Sequence, residues 1–189
     1  MILNMFGPSG SGKTTLVRKL LEQNQTQLFF NKFARNKIKD FHNSKISISL
    51  IPLPLFRGTV KEFFDIFFIN LNTLLNLEKE LKDLSDSIFD EINDKKSLEK
   101  ISFRRIETFS AGEMRRLFIL KSLLVDSNII VIDEPFSNSD EKVWDIIYKA
   151  INVKSNSILL SHLALDNLFF SNPYNKSIHI NQANNILND

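Results

Sequence analysis

The chain has no cysteine among its 189 residues, which excludes disulfides, thiolate metal sites and a cysteine nucleophile. Positive and negative charges are nearly balanced: the formal net charge is +2. The charge balance therefore does not indicate a nucleic-acid partner. The most apolar stretch, residues 63–77, is interrupted by Asp65 and three asparagines, so it is too short and too polar to cross a bilayer. We therefore expect a cytosolic protein without a membrane span or a signal peptide.

Glycine is also scarce, with five residues in the chain, and three of the five lie within six positions. An apolar run over residues 2–6 predicts a buried strand before them, and residues 15–21 predict a helix after them. Strand, glycine loop and helix together form the context that a phosphate-binding P-loop requires. The predicted nucleotide-binding residues are Gly7, Pro8, Ser9, Gly10, Ser11, Gly12, Lys13, Thr14 and Thr15.

The chemistry of this loop follows from its residue types. Glycines let backbone N–H groups turn inward around phosphates without Cβ clashes, and the helix N-terminus adds the positive end of its dipole. Lys13 can place a positive charge on the terminal phosphates, and the Thr14 hydroxyl suits a magnesium ion. A tight turn that matches the motif by chance is the alternative, and the scarcity of glycine disfavours it.

Strand and helix patterns alternate on both sides of a long helical region. Thr59 and Glu62 form a capping-box pattern that starts this region, which continues to about residue 108. This order predicts an α/β fold, with a parallel sheet in a P-loop NTPase core and an inserted α-helical subdomain over about 59–108, all within one domain of residues 1–189. The predicted strands outside the P-loop cover residues 27–33, 45–51, 128–132 and 157–160, and a helix is predicted over 141–151.

A second motif follows the apolar residues 129–132, which end in Asp133 and Glu134. Ligand chemistry in parallel sheets lies at the carboxyl ends of the strands, so Asp133 is predicted to hold magnesium opposite Thr14. Glu134 is predicted to activate the attacking water as a general base. An acidic turn without a catalytic role is the alternative.

Residues 109–116 resemble the signature motif of ATP-binding cassette (ABC) proteins, through Ser110, Ala111, Gly112 and Glu113. The spacing from this segment to Asp133 matches the family without insertion or deletion. Residues 137–140, ending in Asp140, look like the family's D-loop, and His162 looks like its switch histidine. Residues 54–60 are similar to the stretch that follows the Q-loop in exporter-type cassettes.

The resemblance implies an ATPase that uses ATP and Mg²⁺. In the family, the signature helix completes the γ-phosphate pocket of the opposite subunit, so ATP joins a homo- or heterodimer of ABC domains. Ser110 and Glu113 form a capping box, which predicts a helix with an anion site at its start. His162 would contact the γ-phosphate and help to orient the water that Glu134 activates. A separate transmembrane permease subunit would hold the protein on the inner face of the cell membrane.

Three departures from the family pattern leave other functions open. The family's N-terminal β-segment, with its adenine-stacking aromatic residue, is expected to be missing, and Phe29 and Phe30 cannot replace that residue. The Q-loop glutamine is missing near Ile51, and Ala111 and Glu113 replace the commoner glycine and glutamine. The leading interpretation is a transporter ATPase; the alternatives are a soluble ABC-type ATPase acting on DNA or ribosomes, and an ATP-binding regulatory module with weak turnover.

Four phenylalanines open the helical region at helical spacing, and they admit two interpretations. They form the core of the helical subdomain, which is the preferred interpretation, or they receive a helix from a membrane partner. These residues are Phe63, Phe64, Phe67 and Phe68.

Overall fold

The computed structural model describes residues 2–22, 45–50, 53, 55–137, 139–153, 156–162 and 175–180. The chain forms two compact units. Unit 1 comprises Met1–Leu50, Asn128–Glu134 and Ser155–Asp189, and unit 2 comprises Ile51–Ser127 and Pro135–Lys154. The strand predicted over residues 27–33 and the Q-loop position at Ile51 lie outside the described residues.

The described residues of unit 1 contain a five-stranded parallel sheet with the strand order β2-β3-β4-β1-β5. Every described residue of β3 and β4 is buried, as a parallel sheet with both faces covered requires. The predicted α/β fold with a parallel sheet is therefore confirmed. Its described elements are β1 (Ile2–Phe6), α1 (Lys13–Glu22), β2 (Ile46–Ser49), β3 (Ile129–Asp133), β4 (Ser157–Ser161) and β5 (Lys176–His179).

The core of unit 1 joins α1 to the central strands of the sheet. Leu16, Val17 and Leu20 recur at helical spacing along α1 and are almost completely buried. They pack against residues that alternate along β1, among them Leu3 and Met5. This packing fixes the start of α1 relative to the end of β1, where the glycine loop lies.

Unit 2 is helical. Thr59 begins α2 with the predicted capping box: its side chain accepts from the Glu62 N–H, and the Glu62 carboxylate accepts from the Thr59 N–H at 2.6 Å. The helix α3 packs against α5 and α6. The α-helices of the unit are α2 (Val60–Ile66), α3 (Lys79–Phe89), α4 (Lys95–Ser102), α5 (Ala111–Leu124) and α6 (Glu141–Val153), with 3₁₀ turns at Leu71–Asn76 and Ile106–Thr108.

The phenylalanines at the start of the helical region divide between core and surface. Phe63 and Phe64 are completely buried, whereas Phe68 is 97% exposed. The Phe63 ring meets four other phenylalanine rings edge-on, at centroid distances between 5.1 and 5.7 Å. The preferred interpretation as a subdomain core therefore holds for Phe63 and Phe64 and not for Phe68.

Two elements were not predicted from the sequence. The mixed charges of residues 83–100 are typical of a solvated helical face, but the structure divides this segment between two helices. The first helix ends at Phe89, Asp90 has a φ of 62°, and α4 begins at Lys95 after its cap Asp94. The edge strand β5 was also missed, because its four residues include Lys176, Ser177 and His179 and form no apolar run. Among the helices in the described part of the chain, none has both the length and the apolar character needed to cross a membrane.

Candidate functional site

Three neighbouring strands bring the predicted residues of unit 1 to one edge of the sheet. The strands β3, β4 and β1 are adjacent and parallel, so their carboxyl ends lie at the same edge. Gly7 follows β1, Glu134 follows β3 and His162 follows β4. Two hydrogen bonds tie these ends together: the Gly7 N–H donates to the Ser161 carbonyl at 3.2 Å, and the Glu134 N–H donates to the Leu160 carbonyl at 2.7 Å.

The glycines of the loop have backbone conformations that other residues rarely adopt. The φ angles of Gly7, Gly10 and Gly12 are 156°, 78° and 90°. Gly7 is also tightly enclosed, because a Cβ atom there would lie 2.4 Å from the carbonyl oxygen of Ile180. A Cβ atom on Gly10 would meet no atom within 4 Å. The loop therefore needs Gly7 for space as well as for conformation.

This difference gives a test of the loop geometry. We expect Gly7→Ala to destabilise the protein by about 2–3 kcal/mol, because both the φ angle and the clash with backbone disfavour the methyl group. Gly10→Ala is the matched control and meets only the conformational cost, about 1 kcal/mol. Thermal unfolding of the two variants beside the parent measures the difference. Equal losses of stability would contradict the close contact of Gly7 with Ile180.

Lys13 lies inside the loop. Its side chain is largely buried, and its Nζ donates to the carbonyl oxygens of Gly7 at 2.7 Å and Pro8 at 3.0 Å. Lys13 is the first residue of α1, and these bonds hold its ammonium group against the backbone of the loop. The positive charge is thus fixed in a loop whose backbone N–H groups can bind phosphate oxygens.

The two predicted magnesium ligands are in direct contact. The Thr14 Oγ1 donates a hydrogen bond to Asp133 Oδ2 at 3.1 Å. Asp133 is the last residue of β3 and is 5% exposed, so its carboxylate lies at the buried edge of the site. Hydroxyl and carboxylate oxygens are ligands that Mg²⁺ accepts, and Mg²⁺ usually keeps several waters beside one or two such groups. The donor set therefore fits magnesium.

Glu134 and His162 form a second contact at the same edge. The His162 Nδ1 lies at hydrogen-bonding distance from the Glu134 Oε1. Glu134 follows Asp133 but has a left-handed φ of 49°, so the chain turns between the two carboxylates and each has a different partner. The Glu134 side chain is 18% exposed and that of His162 is 53% exposed, so this pair is open to water and ligand. The arrangement is suited to general base chemistry.

The signature residues begin α5 in unit 2. Ser110 caps this helix: its Oγ accepts from the Glu113 N–H at 3.2 Å, and Glu113 Oε2 accepts from the Ser110 N–H at 2.7 Å. Ser110 and Ala111 are exposed, whereas Gly112 and Glu113 are partly buried. The predicted capping box is therefore present, and the first turn of α5 is open to a binding partner.

An arginine that the sequence did not single out holds the Glu113 carboxylate. The Arg104 Nη2 donates to Glu113 Oε1 at 2.8 Å. Partial burial raises the pKa of the Glu113 carboxyl, but hydrogen bonds from the Ser110 N–H and from Arg104 outweigh burial and hold the pKa below its ordinary value. Glu113 is therefore a carboxylate at neutral pH. The two residues are nine positions apart, outside any helical spacing.

Asp140 starts α6, also in unit 2. Its Oδ1 accepts from the Val143 N–H at 2.9 Å. The single tryptophan of the chain stabilises the segment before it: the Trp144 indole N–H donates to the carbonyls of Phe136 at 3.0 Å and Ser139 at 2.9 Å. These two hydrogen bonds of Trp144 could not be predicted from the sequence. The structure therefore brings the P-loop, Asp133, Glu134 and His162 together in unit 1, and it places the signature residues and Asp140 in unit 2.

Comparison with protein families and known proteins gives consistent matches. The family model described as ABC transporter matches residues 1–137. The zinc import ATP-binding protein ZnuC of Ehrlichia chaffeensis is 32% identical over 152 residues, which cover 80% of this chain and 56% of that protein. The ZnuC protein of Buchnera aphidicola (Schizaphis graminum) is 28% identical over 151 residues, with the same coverage. The chain thus spans just over half the length of these relatives.

Solved structures support the fold. A protein described as a cobalt transport ATP-binding protein matches with a TM-score of 0.59 at 23% identity, over 95% of this chain and 64% of that chain. The archaeal ribosome recycling factor aABCE1 matches with a TM-score of 0.58 at 20% identity, over 85% of this chain and 28% of that chain. These likenesses establish the same fold and no more.

Proposed function

The chain belongs to the ABC transporter family, and on that premise we propose that it is the ATP-binding and ATP-hydrolysing subunit of an ABC transporter. The observation that carries the proposal is the meeting of two side-chain pairs at one sheet edge, Thr14 with Asp133 and Glu134 with His162. One pair is suited to a metal–phosphate complex and the other to an attacking water. Residues 1–189 then act as one ATP-binding domain with a helical subdomain over about 59–108.

ATP binding is assigned to the glycine loop. Backbone N–H groups within residues 9–15 and the Lys13 ammonium hold the phosphates, and the dipole of α1 adds to their positive potential. Thr14 and Asp133 hold Mg²⁺, which neutralises charge on the phosphates when it is bound. The contact between these two side chains supports this assignment, because the Thr14 Oγ1 and the Asp133 Oδ2 are close enough to share one ion.

Hydrolysis is assigned to Glu134 and His162. The Glu134 carboxylate accepts a proton from water as the water attacks the terminal phosphate and the bond to the departing ADP breaks, and general base catalysis of this kind typically contributes about 10²–10⁴-fold in rate. His162 orients Glu134 and the terminal phosphate. The contact between the His162 ring and the Glu134 carboxylate supports this division of work.

The signature residues act on a second subunit. Ser110, Ala111, Gly112 and Glu113 form the start of α5, where exposed N–H groups and the helix dipole favour an anion. We propose that they complete the γ-phosphate site of a partner ABC domain, in a homodimer or a heterodimer. Asp140 belongs to the D-loop of the same interface.

Transport is the proposed use of this ATPase. The relatives named as zinc import ATP-binding proteins favour uptake, in contrast to the exporter-type cassettes that residues 54–60 resemble. The protein would then lie in the cytoplasm, on the inner face of the cell membrane, bound to a separate permease subunit. Direct contact with nucleic acid is not part of this function.

An affinity purification tests the transporter assignment. The tagged protein is recovered from detergent-solubilised membranes of the native cell, and bound proteins are identified by mass spectrometry. We expect a polytopic membrane protein in amounts comparable to the tagged chain. Recovery from the soluble fraction alone, or together with ribosomal proteins, would contradict a transporter subunit and favour a soluble ATPase.

A substitution of His162 tests its role in hydrolysis. We expect His162→Ala to lower kcat by about tenfold or more with little change in KM, because the ring orients the base and the variant leaves the phosphate loop intact. Steady-state ATPase assays measure both constants. His179→Ala is the control, since that exposed ring packs on Phe6 and contacts no catalytic carboxylate among the described residues. Unchanged activity in the His162 variant would show that the histidine is only structural.

A further inference from the structure

The start of α5 carries a negative charge where the proposed function requires an anion to bind. Glu113 lies in the first turn of this helix, and its carboxylate accepts from the Ser110 N–H, at the helix end that attracts a phosphate. The Glu113 carboxylate and a phosphate bound at the start of α5 would repel each other, and this repulsion is larger at a partly buried position than in water. The signature therefore needs a nearby positive charge to bind a phosphate well.

Arg104 supplies that charge in a fixed position. Its Nη2 donates to Glu113 Oε1 at 2.8 Å, and its Nη1 donates to the Ile88 carbonyl at 3.2 Å. The guanidinium group also lies over the Phe109 ring, 4.1 Å from the centroid. Both partners of the ion pair are largely sheltered, with side-chain exposures of 32% for Arg104 and 23% for Glu113.

We propose that Arg104 is a positioning residue for the signature motif, which neutralises Glu113 and holds its carboxylate on the capping position, away from the phosphate of the partner subunit. This inference rests on the proposed function. One Glu113 oxygen receives the Ser110 N–H and the other receives Arg104. The carboxylate is thus fully engaged inside its own subunit, and the remaining N–H groups of the helix start face a phosphate without a competing free anion.

The geometry explains why this position carries arginine. A planar guanidinium can donate to a carboxylate and to a carbonyl from different nitrogens while its face stacks on an aromatic ring. The three partners lie on α3, on α5 and on the residue just before its cap: Ile88, Glu113 and Phe109. A lysine ammonium could replace the charge but could not occupy the three contacts together.

A double-mutant cycle tests the inference. We expect Arg104→Gln to raise the ATP concentration needed for half-maximal dimerisation and hydrolysis by about tenfold, because Glu113 loses the guanidinium that is hydrogen-bonded to its carboxylate. Glu113→Gln is the second single variant of the cycle, and its amide oxygen can still accept the hydrogen bond from the Ser110 N–H. The double variant should recover most of the loss, because no charge then needs compensation. Arg105→Gln is the matched control: Arg105 pairs with Glu107, and its side chain is 60% exposed.

The outcomes separate this inference from the proposed function. Binding of a fluorescent ATP analogue at protein concentrations too low for dimerisation reports the glycine loop alone, and we expect it to be unchanged in Arg104→Gln. If the parent fails to bind the analogue, the proposed function fails. If the parent binds and dimerises, two results overturn the inference: activity of Arg104→Gln equal to the parent, or a double variant as impaired as Arg104→Gln. The latter result would assign Arg104 a purely structural role.

Discussion

The variant Lys13→Ala is expected to lose nucleotide binding. The substitution removes the one side-chain charge that the structure places inside the loop, and charge-assisted hydrogen bonds contribute about 1.5–3 kcal/mol each. It also removes the bonds from Nζ to the Gly7 and Pro8 carbonyls, so the loop loses an internal support. Together these effects predict a loss of ATP affinity of about a hundredfold or more.

Isothermal titration with ATP and Mg²⁺ measures this loss. Lys19→Ala is the matched control. Lys19 is an exposed lysine in the last turn of the same helix, and this substitution removes an equal charge. Thermal unfolding of both variants establishes that they are folded. Affinity retained by the Lys13 variant, with the control unchanged, would contradict the assignment of this loop to nucleotide phosphates.

The variant Glu134→Gln is expected to bind ATP and to hydrolyse it about a hundredfold or more slowly than the parent. The amide has the size of the carboxylate and keeps the same backbone, but it cannot accept a proton from water. Because nucleotide binding is assigned to the loop at the end of β1, which this substitution does not alter, ATP and Mg²⁺ are expected to accumulate on the protein. If ATP joins two subunits, the variant should accumulate as a dimer.

Light scattering during size-exclusion chromatography, with and without ATP and Mg²⁺, measures the dimer, and phosphate release measures hydrolysis. Glu141→Gln is the control, since Glu141 is an exposed glutamate in the first turn of α6. A Glu134 variant that stays monomeric with ATP bound would contradict the proposed dimer. Hydrolysis at the parental rate would contradict the role of Glu134 as the base.

The edge of the sheet in unit 1 could be predicted because its signals are local. The glycine spacing requires a particular loop, and the apolar run before Asp133 requires a buried strand. Parallel pairing then brings the carboxyl ends of the strands together. In the structure the side chain of Thr14 contacts that of Asp133, and the side chain of Glu134 contacts that of His162. The capping boxes at Thr59 and Ser110 are likewise set by residues three positions apart.

The remaining features depend on contacts between residues that no spacing connects. Arg104 and Glu113 lie on opposite sides of the 3₁₀ turn at Ile106–Thr108 along the chain, and no periodic spacing connects them. The turn at Asp90 combines a φ of 62° with a ψ of −178°, a backbone conformation that few residues other than glycine adopt, so the sequence does not predict it. The strand β5 is held by its pairing with β1 and by the burial of Ile180, not by any apolar pattern of its own.

The left-handed backbone conformation of Glu134 has a cost in stability that the proposed catalytic role of this residue would explain. A φ of 49° costs a glutamate about 1 kcal/mol or more, and the hydrogen bond from its N–H to Leu160 maintains that conformation. Glycine or asparagine would adopt it at lower cost. With Glu134 as the proposed base, a substitution that relieves this backbone cost would therefore leave the protein more stable and unable to hydrolyse ATP.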